Sequence, residues 1–350
     1  MNAHTPDNIM KINFSENLAN QIVLIDGLTR CGKSSLCQMI VSLKDFEHVD
    51  MCEIFETVMS GLVLKKIPLE FAKPFIRNYF NQSAYNKLIS RGVNFRPTDF
   101  TGIQNFRDPK IYINRLKIFS YKKKNYHYRK THIKTKGSDD FILKTLKKKK
   151  QFFPYQSHLI LCDFDKFIKL KLNYKIIEIF RSPIDNAISL INRNVFEKTD
   201  IKQDPRRFDF DILHKKRSIP WHTYYYADKF LKANSAEKCA LFVINQTNKI
   251  RKKKKIIDPY LNKKVLIIKF ENLVTSTEKE LKKISKFLNT SVTSSSKKFI
   301  KNANCPRTIN PKNKLQNILI LKKKIKNKAI LEDLFSLEED YQKNLYNFKN

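Results

Sequence analysis

The 350-residue chain predicts an α/β fold: a doubly wound, mainly parallel sheet with a phosphate loop after its first strand. Three observations carry this expectation. Apolar, β-branched-rich runs alternate with helical patterns, as buried parallel strands do. A Gly-x-x-x-x-Gly-Lys-Ser signature follows the first run directly. A later run ends on an arginine and passes at once into a capped helix. The runs fall at 21–26, 157–162, 175–180 and 264–269, with a shorter candidate strand at 46–50.

The first run, Ile22-Val-Leu-Ile-Asp26, leads into Gly27-x-x-x-x-Gly32-Lys33-Ser34-Ser35 and a helix over 33–43. Backbone amides of such a loop close around phosphate oxygens, where a Cβ would obstruct them. Two of the chain's six glycines are placed here. Lys33 adds a point charge, and the helix start aims its positive dipole end at the same anion. A chance match in a surface turn is the bland alternative, and the strand–loop–helix setting argues against it. The loop binds phosphate without stating which group is transferred.

Residues 52–90 carry helical periodicity. From 91 to 155 the text changes to scattered Pro and Gly with dense basic-aromatic stretches such as Tyr121 to Lys130, which reads as an insert with some helix near 139–150. Leu159-Ile-Leu-Cys-Asp163 has the form of a strand ending in a Mg²⁺-binding aspartate. Residues 175–190 form the second constellation. A strand delivers Arg181, Ser182-Pro183-Ile184-Asp185 starts a helix, and Ser189 lies two turns along it. Ligands of open α/β sheets bind at the carboxyl ends of strands, so Arg181 and the loop share a crevice. A guanidinium and a hydroxyl there suit a second phosphate, although pairing of Arg181 with a carboxylate is equally open. Helices are expected over 222–250 and as a pair over 312–349. The run at 264–269 continues into Phe270-Glu271-Asn272-Leu273 and a capped amphipathic helix. The resulting division is an N-terminal extension (1–20), one α/β domain (21–310, insert at about 91–155) and C-terminal helices packed on it (311–350).

Composition sets the outer bounds. Hydrophobic residues make up 41% and aromatics 12%, enough for a packed core. No run approaches the ~18 apolar residues that span a bilayer, and residues 1–20 lack a secretory pattern. Six scattered cysteines without paired or metal-like spacing fit a reduced, cytoplasmic chain. The net charge of +36 includes lysine runs at 122–124, 147–150, 252–255 and 322–324. The chain is equally rich in Asn, Ile, Phe and Tyr, so much of this lysine reflects coding bias. The remaining reading is a surface for a polyanionic ligand. No zinc-finger, RNA-recognition or helix-turn-helix signature accompanies it, which argues against nucleic acid.

Taken in order, the loop at Gly27–Ser35, the Arg181…Ser189 element and Phe270-Glu271-Asn272-Leu273 with Phe287-Leu288 resemble the sulfotransferase family over about residues 22–290. That resemblance implies a P-loop-type fold and 3′-phosphoadenosine-5′-phosphosulfate (PAPS) as co-substrate. It also implies in-line transfer of a sulfuryl group to a hydroxyl or amine, with no metal required. Gly27, Arg30, Gly32, Lys33, Ser34 and Ser35 would hold the 5′-phosphosulfate, with Lys33 stabilising the leaving phosphate. Arg181 and Ser189 would grip the 3′-phosphate. Family loops more often read Arg-Ser-Gly-Thr-Thr, whereas Gly32-Lys33-Ser34 is the spelling of a nucleotide kinase. A P-loop kinase using ATP-Mg²⁺ is therefore the first alternative, and a non-catalytic nucleotide- or polyanion-binding protein the second.

A base should deprotonate the acceptor. Glu53 is the first candidate, Glu56 stands behind it, and His222 beside Trp221 is the third, each balanced by an ordinary structural role. His158, ahead of the run at 157–162, reads as structural, and Arg307 is a possible contact to the 3′-phosphate without a motif behind it. The acceptor is not legible. The basic-aromatic text of 91–155 and 200–225 suits an anionic sugar, a lipid head group or a nucleotide-linked molecule equally well, and oligomeric state is silent.

Overall fold

The computed structural model describes residues 16–96, 99–113, 151–197 and 210–348. The expected helix near 139–150, the segment Tyr121 to Lys130 and the loop around Arg207 lie outside the described residues. The strands are β1 (Ile22–Asp26), β2 (Asp50–Met51), β3 (Phe153–Gln156), β4 (Tyr174–Phe180), β5 (Asp211–His214), β6 (Arg217–Pro220) and β7 (Val265–Lys269). Helices of eight residues or more are α1 (Lys33–Ile40), α2 (Glu53–Val63), α3 (Leu69–Leu88), α4 (Pro183–Ile191), α5 (Ser235–Lys252), α6 (Thr277–Leu288), α7 (Pro311–Lys324) and α8 (Lys328–Asn344).

Five strands form one parallel sheet in the order β2-β3-β1-β4-β7. The chain leaves β1 toward one side of the sheet and β4 toward the other, so the topological switch point lies between these two neighbours. A ligand crevice is expected there, beyond their carboxyl ends. Every residue of β1 is buried, and β4 is buried at six of its seven positions. Covered on both faces, they carry continuous rather than alternating apolar text. β5 and β6 form a separate antiparallel hairpin whose turn residues, Lys215 and Lys216, both have positive φ.

The strand expected at 157–162 is displaced. The pairing strand is Phe153–Gln156, and Leu161–Asp163 is a 3₁₀ turn. The cause is Asp26, whose carboxylate accepts from the Ser157 hydroxyl (3.1 Å) and from the Ile160 amide (2.8 Å), pulling the chain into a turn. Burial of Leu159 to Cys162 is real, but it covers a turn, and apolar text alone does not separate the two. The candidate strand at 46–50 reduces to Asp50–Met51 plus an isolated bridge from Phe46 to Phe152. The helix expected over 33–43 stops at Ile40. The span 222–250 divides into a 3₁₀ segment, a short helix at Ala227–Lys232 and α5. α7 and α8 pack on α4, which places C-terminal side chains beneath the switch point.

Candidate active site

The phosphate loop depends on its two glycines. Gly27 has φ +138°, and a Cβ there would sit 2.6 Å from the Ile179 carbonyl oxygen. Gly32 has φ +105° and caps α1; its Cβ would lie 2.2 Å from the Phe270 ring. No other residue type fits either place without moving backbone or ring. Lys33 is 4% exposed and turned inward, donating to the carbonyls of Gly27 (2.6 Å) and Leu28 (2.8 Å). Ser34 donates to Gln156 Oε1 at 3.4 Å, and Ser35 accepts from Arg307 at 3.4 Å.

Beside the loop four guanidiniums converge. Arg30, itself in the left-handed region (φ 68°), donates from Nε to Ser189 Oγ at 3.2 Å. Arg181 donates to the Arg30 carbonyl at 3.0 Å and lies over the Phe270 ring at 4.8 Å. Arg307 faces the same ring at 5.7 Å. Partial burial, then the neighbouring charges of Arg193 and Arg181, lowers the affinity of Arg30 for its proton. Among the described residues none of Arg30, Arg181, Arg193 and Arg307 forms an ion pair, and Arg181 Nε is buried without an acceptor. Like charges gathered without counter-ions favour an anion between them. The structure thus brings together Gly27, Arg30, Gly32, Ser34, Ser35, Arg181 and Ser189, as the sequence predicts, together with Arg307, named from the sequence without a motif, and adds Arg193. Arg193 stands four residues beyond Ser189, one helical turn, which was the available signal.

Arg181 is aimed by a buried junction. Ser182 caps α4 by accepting from the Asp185 amide (3.4 Å), and Pro183 takes the first helical position. The expected capping-box acid, Asp185, instead accepts from Asn317 at 2.8 Å. The role passes to residues distant in sequence. Glu338 of α8 accepts from Ser182 Oγ (2.6 Å) and the Ile184 amide (3.2 Å), while Glu271 accepts from the Ser182 amide (2.9 Å) and the Tyr341 hydroxyl. Phe270-Glu271 therefore serves twice, with a ring against Gly32 and a carboxylate beneath Arg181. Glu338→Ala leaves two buried donors unmatched and is expected to cost ~3 kcal/mol; chemical denaturation measures it, and an unchanged midpoint would contradict the assignment.

A cavity of about 420 Å³ adjoins the loop through Thr29. Glu53, Glu56, His158, Asp163 and His222 all reach its wall, among Phe210, Trp221, Phe242 and Met59. His158 Nδ1 lies 3.0 Å from Glu56 Oε1. With Glu56 ionised, Nδ1–H donates and Nε2 carries the lone pair. His158 is thus not ahead of a strand but in the turn that Asp26 holds, directly after β3. Its misplacement followed from the misplaced strand. Glu53 is the exposed first residue of α2. His222 packs edge-on to Phe242 (5.2 Å), and its carbonyl accepts from Gln246 (3.0 Å). No lysine or arginine lines the cavity among the described residues.

The kinase reading needs a carboxylate near the Ser34 hydroxyl. At the end of β3 stands Gln156, an uncharged amide, within reach of Ser34. Asp163, the sequence candidate, is in a 3₁₀ turn and held by Lys249 at 2.8 Å, burial raising its carboxyl above the usual range. Neither residue offers loop-bound Mg²⁺ a charged ligand.

A family model described as "Sulfotransferase domain" matches residues 21–328. The chain belongs to the sulfotransferase family, which makes it a transferase of sulfuryl groups. Among solved structures it is similar to a sulfotransferase from Alicyclobacillus acidocaldarius (14% identity, 91% of this chain and 96% of that one, TM-score 0.36). It is also similar to the sulfotransferase domain of the Synechococcus PCC 7002 olefin synthase (11%, 95% and 100%, TM-score 0.42). A third is sulfotransferase STF9 from Mycobacterium avium (10%, 92% and 76%, TM-score 0.41). No curated protein matches the chain. Among the described residues no helix is long and apolar enough to cross a membrane.

Proposed function

We propose that this chain transfers a sulfuryl group from PAPS to a hydroxyl or amine of a small acceptor. The observation that carries the reading is the group of four arginines without carboxylate partners among the described residues, two of them over the Phe270 ring, next to a phosphate loop. A nucleotide phosphorylated at both its 3′ and 5′ oxygens requires two anion grips about one ribose apart. The loop amides with Ser34, Ser35 and Arg30 would hold the 5′-phosphosulfate; Arg181, Arg193 and Ser189 would hold the 3′-phosphate. Gln156 beside Ser34 favours this donor over ATP-Mg²⁺.

In the proposed step a sulfur–oxygen bond to the acceptor forms as the bond from sulfur to the nucleotide phosphate oxygen breaks. His158 Nε2 takes the acceptor proton, and Glu56 holds the ring and stabilises the resulting imidazolium. Glu53 and His222 are wall residues in this scheme. The arginines and loop amides neutralise charge developing on the leaving phosphate. The cavity's aromatic and apolar sides, with carboxylates and no lysine or arginine among the described residues, suit a neutral or amine-bearing acceptor with an apolar body. They lend no support to an anionic one.

Thermal-shift titration tests the donor. At a hundredfold excess over its dissociation constant a ligand adds ~2.7 kcal/mol, a rise of roughly 4 °C for a chain of this size. 3′,5′-Bisphosphoadenosine should reach this at micromolar concentration, and ATP-Mg²⁺ should need far more. The reverse order would return the chain to the kinase reading, and response to heparin alone would favour a non-catalytic binder.

A further inference from the structure

Beneath the phosphate loop lies a charged cluster that donor binding does not use. Asp26 and Glu178 are cross-strand partners in β1 and β4, and both are 0% exposed. Asp26 has two outside donors, Ser157 Oγ and the Ile160 amide. Glu178 has none: neither of its oxygens meets a protein donor among the described residues. Two carboxyls side by side in a dry interior share one proton. The hydrogen bonds decide where it sits. Asp26, already accepting twice, holds the charge, and Glu178 keeps the proton and donates to it. Burial, then the charge of Asp26, drives the Glu178 carboxyl well above its usual range, in keeping with that assignment. Burial raises the Asp26 carboxyl as well, opposed first by Lys33, whose attraction acts on both acids, and then by its hydrogen bond from Glu178 and by His158.

Lys33 is equally committed from its own side. Two of its three N–H donors are spent on Gly27 and Leu28 carbonyls, and almost none of the residue reaches the surface. Arg30, three residues earlier, is on the crevice side and meets Ser189. We propose that Lys33, Asp26 and Glu178 form a buried, net-neutral positioning cluster, and that the loop's working cation is Arg30. One end of the cluster shapes the loop through the carbonyls of Gly27 and Leu28. The other end, through Asp26, clamps the turn that carries His158. The cluster thereby sets the donor grip and the base in fixed relation, and the kinase-like spelling Gly32-Lys33-Ser34 serves this internal role instead of a triphosphate.

The test is charge removal followed by charge matching. Lys33→Met strands the Asp26 carboxylate in an apolar site, and breaking a buried pair from one side is strongly destabilising. It should lower Tm by roughly 4–7 °C and turnover by about 100-fold. Lys33→Met combined with Asp26→Asn makes the cluster neutral again. This double variant should recover most of the lost Tm, bind 3′,5′-bisphosphoadenosine within about threefold of the parent, and regain at least tenfold in kcat over Lys33→Met. Glu178→Gln, an isostere of the protonated acid, should keep the parent Tm within about 2 °C. A double variant that is stable and binds nucleotide but turns over no faster than Lys33→Met would overturn the proposal, because Lys33 would then act on the transferred group. So would parental Tm in Lys33→Met, or a double variant as unstable as that single one. The Tm comparisons need no assumption about the donor, so a wrong donor and a wrong cluster are told apart.

Discussion

His158→Ala is expected to lower kcat by two to four orders of magnitude while leaving the affinity for 3′,5′-bisphosphoadenosine within about twofold. General-base catalysis by a positioned side chain is worth about 10²–10⁴, and His158 touches the acceptor cavity, not the arginine group. Glu56→Gln keeps a partner for Nδ1 but removes the charge that stabilises the imidazolium, so its loss should be smaller, about 10-fold to 100-fold. The control is Glu53→Gln, which under this assignment changes KM for the acceptor more than kcat. Steady-state kinetics with saturating donor, together with calorimetric nucleotide titration, separates these effects. If Glu53→Gln loses activity to the extent expected of His158→Ala, and His158→Ala does not, the base is the glutamate.

The second large effect belongs to Arg181. Its guanidinium has an unmatched buried Nε, lies on Phe270, and depends on the Glu271–Ser182–Glu338 junction for its aim. A hydrogen bond to a charged group contributes about 1.5–3 kcal/mol, or about 10-fold to 150-fold in affinity. Arg181→Ala should weaken 3′,5′-bisphosphoadenosine by that factor and adenosine 5′-phosphosulfate, which lacks the 3′-phosphate, by less than about threefold. Equal losses for both nucleotides would mean that Arg181 does not read the 3′-phosphate. Arg181→Lys keeps a charge but not the fork of donors, and should recover only part of the binding.

Much of this arrangement was legible from text. Continuous apolar runs placed β1, β4 and β7, because strands covered on both faces need no alternation. The Gly27–Ser34 spacing placed the loop, and Ser182-Pro183 marked the start of α4. What failed was whatever depends on partners distant in sequence. β3 was set too late because Asp26, some 130 residues upstream, bends the chain at Ser157 and Ile160. The error carried His158 and Asp163 with it: the residue proposed above as the base was placed with a strand, and an acid held in a turn was offered as the end of a strand. The acids that cap the start of α4 are Glu271 and Glu338 and not Asp185, a substitution that no local pattern announces. Lys33 is the opposite case. Its motif was correct in spelling, yet the spelling is silent about which way an ammonium turns when Asp26 and Glu178 lie beneath it.

The Glu338 contact also orders events during synthesis. Ser182 and Glu338 are 156 positions apart, and Tyr341 reaches Glu271 across 70. A ribosome that has released the chain through Arg193 has exposed every arginine proposed for the donor site except Arg307, but not the Glu338 carboxylate that helps to aim Arg181. At about 5–20 residues per second, some ten to thirty seconds separate the two. Through that interval the nascent chain has a phosphate loop without the junction that completes the proposed second grip. Under the proposed assignment a complete two-ended grip on the donor is thus a late event in synthesis, gated by α8.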